Sequence, residues 1–420
     1  MRTHHEPARV VVTGIGAVAP NGLDAESAWA ATSSGRSGIA TLTDVELDGL
    51  TVTIGGEVTG FDPSAHLSRP DQRRLSRYAQ LGVAAAREAM SAHVTDEGAP
   101  PFRSDRFSVL AASGYGPTEV THLGTRSLGA KGPRGVSANG AVYGAHDSLS
   151  SYLSVEWHAQ GPSHAVAAAC ASGTVGVGEG MRMVRHGYAD AVLVVTAEHS
   201  LNVQDIAATA NIRALATDSN DAPERGSRPF DRSRSGFVMS AGAAALLLES
   251  EASARDRGAR VLAEVRGYGC SSDAHHATAP HPEGVGAQLA MRQALADAGC
   301  TPADVGYVNA HGTSTPYNDA TELAAIAAVF GEHAHRVPIS STKSTTGHLI
   351  GAAGALEAIF CIQAMRDRML PPTINLDDPE FPEFDLVPHV ARTAAPELCM
   401  SNSFGFGGHN ATVVLAGVAS

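Results

Sequence analysis

Short, strongly apolar runs alternate along this chain with stretches of helical spacing, and that alternation narrows the available folds more than any other feature. "RVVVTGIGAVAP" (9–20), "RFSVLAASG" (106–114), "ADAVLVVTAE" (189–198) and "AGAAALLLE" (241–249) each read as a buried strand bounded by polar residues or glycine. "AESAWAATSSG" (25–35) reads as a helix stopped by Gly35, and "QLGVAAAREAMSA" (80–92) and 171–186 also carry helical spacing. After "ESEASARDRGA" (249–259) the pattern restarts. Strand "VLAEVRGYG" (261–269) leads to helix "GAQLAMRQALADAG" (286–299), strand "VGYVNAHG" (305–312) and helix "ATELAAIAAVFG" (320–331). A buried helix "LIGAAGALEAIFCIQAMRD" (349–367) and a last strand "ATVVLAG" (411–417) complete it. A twofold alternation of this kind predicts α/β layers around largely buried sheets. The expected division is into residues 1–259 and 260–420, packed as one unit because no low-complexity linker separates them. No internal repeat is strong enough at the sequence level to establish duplication.

Composition removes several classes of function. The chain has 420 residues and a net charge of −13, which disfavours nucleic acid as a partner. Its apolar runs are too short to span a membrane, and "MRTHHEPARVVVTG" lacks the apolar stretch of a signal peptide. Five scattered cysteines without CxxC spacing predict a reducing, cytoplasmic setting with no disulfide framework. "GIGAVA" (14–19) imitates a dinucleotide fingerprint, but Pro20-Asn21-Gly22 breaks the helix that must follow, so a tight turn is expected there. The histidine pairs at 4–5 and 275–276 and "HAH" at 333–335 have no metal-ligand spacing, and no GxSxG is present. No metal and no catalytic cofactor are expected.

Three stretches carry the chemistry. "AVAAACASGTVGVGEGMRMVRHG" (165–187) places Cys170 where a glycine-dense helix begins, a position whose free N–H groups and macrodipole favour thiolate. Glycines at 173, 176, 178 and 180 weaken such a helix unless it is buried and closely packed. "VNAHGTSTPYNDATE" (308–322) puts His311 just after a strand, and "SSTKSTTGHLIGAAGALEAIF" (340–360) puts His348 ahead of an apolar helix. Glu357, the sole charge over more than two turns of that helix, needs a partner, and Lys343 is the nearest in sequence.

"AACASG", "NAHGTSTP", "TKSTTGHLIGAAGALE" and "SNSFGFGGHN" together resemble the signature segments of the β-ketoacyl-acyl-carrier-protein synthases, and the similarity runs nearly end to end. The resemblance implies the thiolase-like, five-layered αβαβα fold with two duplicated halves, and a dimer. It implies that Cys170 accepts an acyl chain as a thioester and that malonyl-carrier protein then decarboxylates and condenses with it. Backbone N–H groups of Cys170 and Phe406 would hold the oxyanion. His311 and His348 would donate to the enolate oxygen, with Lys343 and Glu357 orienting His348 and balancing charge. Phe404 and Phe406 match a mobile aromatic gate, Thr313 and Thr315 match positions that bind the pantetheine arm, and Asp319 and Glu322 would anchor the His311 loop. Some relatives hold a structural monovalent cation near the position of Glu357.

The implied partner, an acyl carrier protein, is acidic. "SRPDQRRLSRYAQ" (68–80) supplies a basic patch in which Arg73 and Arg74 match docking residues of relatives, as does Arg213 in "NIRALA"; a solvated helix face is the alternative. Ser240-Ala241-Gly242 stands where the family has a Gly-acidic-Gly turn, Ala138, Gly140 and Ala141 stand where elongation enzymes carry bulkier residues, and His409 replaces a common Thr. These departures point to an altered acyl pocket and a type II polyketide or polyene ketosynthase. It would be a homodimer or be paired with a chain-length-factor-like subunit. Housekeeping fatty-acid elongation is the alternative, and a cysteine hydrolase using Cys170, a His and Asn402 a remoter one.

Overall fold

The computed structural model describes residues 7–94 and 98–418, so the His4–His5 pair lies outside the described residues. Ten strands carry the architecture: β1 (Val10–Val18), β2 (Phe107–Ala112), β3 (Ser163–Val166), β4 (Ala191–Glu198), β5 (Gly242–Ser250), β6 (Ala263–Ser272), β7 (Tyr307–Asn309), β8 (Ile339–Ser340), β9 (Leu398–Gly405) and β10 (His409–Gly417). Their spatial order is β8-β7-β9-β10-β6-β1-β5-β4-β2-β3. Only Val11–Glu264 and Val12–Ala263 join β1 to β6, so the row is two five-stranded units meeting at a narrow seam. Within each unit the strands run first-fifth-fourth-second-third. The second pairs in parallel with the third and fourth, while the fifth is antiparallel to both its neighbours. Two identical topologies in one chain establish the duplication that the sequence only suggested.

Five helices complete the layers: α1 (Arg77–Met90), α2 (Ser172–Arg185), α3 (Val285–Ala298), α4 (Pro316–Phe330) and α5 (Ala353–Asp367). Helices α2 and α5 pack on each other and on both units, forming the central layer. Helix α1 covers the outer face of the first unit, and α3, backed by α4, that of the second. This is the thiolase-like αβαβα arrangement. Central α2 is buried along most of its length, as its glycines require: a Cβ on Gly173 would lie 2.8 Å from Ala355 N, and one on Gly178 2.3 Å from the Tyr268 ring.

Three expectations are corrected. Strand β1 runs through "GIGAVA" to Val18, and the turn falls later, at Ala19–Gly22. The glycines there admit α1: a Cβ on Gly14 or Gly16 would lie 2.1 Å from the Ala89 or Ala85 carbonyl oxygen. Gly267 and Gly269 do the same for α3, at 2.3 Å from Ala294 O and 2.1 Å from Ala290 O. The helix expected over 349–367 breaks into a 3₁₀ turn, Ile350–Ala352, before α5, because Ile350 takes a left-handed φ of +47°. Strands β3, β8 and β9 escaped the sequence pattern: β3 has an exposed face, β8 is two residues long, and β9 carries Ser401, Asn402 and Ser403 inside an otherwise apolar run.

If the paired glycines set the helix-to-sheet distance, Gly16→Ala should cost about 1–3 kcal/mol, the usual penalty of overpacking against backbone. A lower thermal midpoint is expected; an unchanged one contradicts this reading.

Candidate active site

The first unit delivers Cys170 and the second delivers His311 and His348, at the edges of one cavity of about 270 Å³ that Phe237, Phe404 and Phe406 also line. Cys170 precedes Ala171, the N-cap of α2, and follows Ala169, which takes a left-handed φ of +47°. Non-glycine residues visit that region rarely, and here the bend precedes a buried Cys170 that borders the cavity. The N–H groups of Phe406 and of Cys170 itself favour the ionised sulfur.

His311 follows β7. Its own N–H and that of Gly312 donate to the Glu322 carboxylate, each at 2.8 Å, so α4 anchors the loop. Asp319, also on α4, accepts from the Ser314 and Phe230 N–H groups. His348 is stitched into the first unit: its N–H donates to Val238 O at 2.7 Å, and its carbonyl accepts from Ser240 N–H at 2.9 Å. The two rings meet edge to face with centroids 5.3 Å apart. Phe237 edges against His348, and Phe404 against His311. Nδ1 of His311 and both ring nitrogens of His348 are buried without a hydrogen-bond partner.

Lys343 and Glu357 form a buried ion pair, as their sequence positions suggested. Lys343 reaches Glu357 and neither imidazole, so its influence on the rings is through charge. Burial first, and then the Lys343 cation, push His311 and His348 well below the ordinary histidine range; His348 adds to the effect on His311. Both rings are therefore neutral at pH 7, each with one N–H to donate.

The thiolate expected from the helix start is overturned. Burial pushes the Cys170 thiol up to about 11, against the Phe406 N–H and the Lys343 cation that favour ionisation. Burial disfavours the sulfur anion, and it is the largest influence on this thiol. The unloaded site holds a thiol.

Thr313 and Thr315 line the same cavity, their hydroxyls 3.0 Å apart, and Thr315 caps α4. Arg213 is exposed at the cavity wall with a φ of +57°. Arg73 and Arg74 are exposed on the helix Arg69–Arg74; Arg74 pairs with Asp71 and lies over the Tyr143 and Tyr152 rings. Ala138 and Ala141 are surface residues of the chain, and Ser240 and Ala241 are buried behind His348, away from the cavity lining. The Ser240 hydroxyl has no partner and packs between Gly56 and Gly347. Phe237 went unnoticed in the sequence, where nothing in its surroundings marks it.

Among the described residues no cluster of His, Cys, Asp or Glu side chains could hold a metal ion. A different donor set lies where α5 meets the sheet. Asn309 and Ser401 are register neighbours on β7 and β9, and α5 packs on β9. The Asn309 amide, the Ser401 hydroxyl and Glu357 Oε2 are all buried and unpartnered. Oxygen donors with a single carboxylate fit the monovalent cation that the resemblance implied.

Comparison with known proteins agrees with this geometry. Residues 8–254 match the model of the beta-ketoacyl synthase N-terminal domain and residues 262–377 that of its C-terminal domain. The chain is 42% identical over 408 residues to 3-oxoacyl-[acyl-carrier-protein] synthase 2 of Staphylococcus aureus (strain COL), covering 97% of each chain. It is 41% identical over 412 residues to the synthase of the same name from Vibrio cholerae, covering 97% of this chain and 98% of that one. Among solved structures it resembles a type II polyketide-synthase acyl-carrier protein complex with its ketosynthase bound to the hexaketide (TM-score 0.90, 29% identity, 98% and 100% coverage). It also resembles the ishigamide ketosynthase/chain length factor (TM-score 0.89, 33% identity, 98% and 100% coverage). The chain belongs to the β-ketoacyl synthase family. It is an acyltransferase-type condensing enzyme that joins a malonyl unit to an acyl chain with loss of carbon dioxide.

A buried thiol reacts with iodoacetamide only through its thiolate fraction, so the alkylation rate of Cys170 should be low near pH 7 and still climbing beyond about pH 9. A plateau below about pH 8 contradicts the assigned protonation state.

Proposed function

We propose that Cys170 is the acyl acceptor and that His311 and His348 are the donors to the enolate. The observation that carries this reading is the pair of neutral imidazoles, with partnerless ring nitrogens, on residues that line the cavity shared with Cys170. Neutral N–H donors held without an acceptor are suited to an oxygen that becomes negative during the reaction.

In the first half-reaction the Cys170 sulfur attacks the acyl thioester of the carrier protein. Its proton passes, in net terms, to the departing pantetheine sulfur, and the N–H groups of Cys170 and Phe406 hold the tetrahedral oxyanion. In the second, the malonyl C–C bond breaks and carbon dioxide leaves. The electron pair collects on the malonyl thioester oxygen, where His311 and His348 donate. The enolate carbon then attacks the Cys170 thioester, the same backbone donors hold the second oxyanion, and the sulfur leaves and regains a proton. The chain grows by two carbons. Neutral rings serve this better than cations, since an imidazolium would surrender its proton to the enolate and end its reactivity. Thr313 and Thr315 would bind the pantetheine arm, Phe404 and Phe406 would gate the cavity, and a monovalent cation at Asn309, Ser401 and Glu357 would neutralise those buried oxygens when bound.

An acyl carrier protein is the proposed macromolecular partner, met by Arg213 at the cavity and by Arg73 and Arg74. A second subunit would cover the exposed edge strand β3 and the helix Thr118–Lys131, which buries none of its residues and exposes Leu123 and Leu128. Fatty-acid elongation fits the chain at least as well as polyketide synthesis. The 42% relatives are 3-oxoacyl-[acyl-carrier-protein] synthases, and the departures that suggested a polyketide pocket lie on the surface or behind His348. The likeness to the ishigamide ketosynthase/chain length factor keeps the polyketide reading in view.

Intact-mass analysis after incubation with a panel of acyl-carrier proteins should show an acyl adduct on the wild type and none on Cys170→Ala; no adduct from any donor overturns the reading. His311→Ala and His348→Ala should each slow malonyl-carrier decarboxylation by about a hundredfold or more, the usual loss when an oxyanion donor is removed; a hydrolase would show no decarboxylation at all. Reversing Arg73 and Arg74 to Glu should raise the carrier-protein KM severalfold with kcat retained, whereas an unchanged KM removes them from the docking surface.

A further inference from the structure

Glu198 ends β4 wholly buried, and the mechanism above gives it no task. Its Oε2 accepts from Gly114 N–H at 2.8 Å, Gly351 N–H at 3.1 Å and Tyr115 N–H at 3.3 Å, and the Ser113 hydroxyl donates at 3.2 Å. Among the described residues no Lys or Arg pairs with it, so the carboxylate is held by three backbone N–H groups and one hydroxyl. Those donors belong to two segments, the loop after β2 and the 3₁₀ turn that follows His348. A third segment joins them. The Ser172 hydroxyl, at the start of α2, accepts from Ala168 N–H and donates within the same corner to Ala169 O, with Ser113 O 3.1 Å away. The packing leaves no slack: a Cβ on Gly351 would lie 2.1 Å from Gly114 N, and one on Gly114 would lie 2.8 Å from the Ile350 side chain. Ala169 and Ile350, the left-handed residues next to Cys170 and Gly351, both meet at this point.

We propose that Glu198 is a positioning residue for the condensation: its carboxylate ties the segment after His348 to the loop that backs Cys170, holding ring and sulfur in register and keeping both strained residues in place. The proposal rests on the assignment of Cys170 and His348 above. Glu198 also faces the nucleophile electrostatically, its charge opposing ionisation of Cys170 while Lys343 favours it; Tyr78 and Tyr115 are the other titratable groups near the carboxylate. Burial raises Glu198 to about 7 against its four donors, so the charge is held at some cost.

The test is Glu198→Gln and Glu198→Asp, with rates normalised to the alkylatable Cys170. Glu198→Gln should lower condensation kcat at least tenfold with malonyl-carrier KM within about threefold, because with its amide oxygen serving Gly114 and Gly351 its amide nitrogen opposes the Tyr115 N–H. It should also move the Cys170 alkylation profile to lower pH, since an opposing charge is gone. Glu198→Asp, which keeps the charge but not the reach, should lose rate with the alkylation profile unmoved, and it stands as the deciding variant if the amide does not fold. Wild-type kcat per alkylatable site in either variant, or an unmoved profile in Glu198→Gln, overturns the proposal. Acyl-adduct formation on the wild type separates that failure from failure of the underlying assignment.

Discussion

Desolvation around Cys170, His311 and His348 is the constraint from which the rest of the site follows. It raises the Cys170 thiol, and together with the Lys343 cation it keeps both rings neutral. A solvated site of the same residues would carry partly protonated imidazoles near pH 6.5, and such groups would quench an enolate. Lys343 is paired with Glu357, and breaking a buried pair of this kind typically costs about 3–5 kcal/mol.

The duplicated fold explains how groups far apart in sequence reach one cavity. Each unit contributes one central helix, and the segments leading into α2 and α5 carry Cys170 and His348. His311 comes from the end of β7, held by Glu322 of α4. The close approach of α2 and α5, set by residues such as Gly173, brings Cys170 and both histidines to the wall of one cavity.

Much of this was legible before any coordinates. The reactive residues sit in short contiguous motifs whose glycines and hydroxyls mark them, and the lone Glu357 in an apolar helix pointed to Lys343. Protonation was not legible, because burial is a collective property of residues from both units and no local spacing encodes it. Strand β9 was hidden by Ser401, Asn402 and Ser403, polar residues that interrupt its apolar pattern although they pair in register with β10. The duplication did leave a trace that went unread: the Gly-x-Gly of "TGIGAV" in β1 returns as "RGYG" in β6, in each case where a covering helix must come close. Glu198, the single charge closing the apolar run "AVLVVTA", carried the same kind of signal as Glu357 and was missed because its partners are backbone groups.

The most direct measurement of the central claim is histidine-selective nitrogen NMR of the unloaded enzyme, with His311→Gln and His348→Gln used for assignment. Both rings should remain neutral, each with one protonated nitrogen, from about pH 8 down to about pH 6. Titration of either ring to the cation within that range would contradict the account.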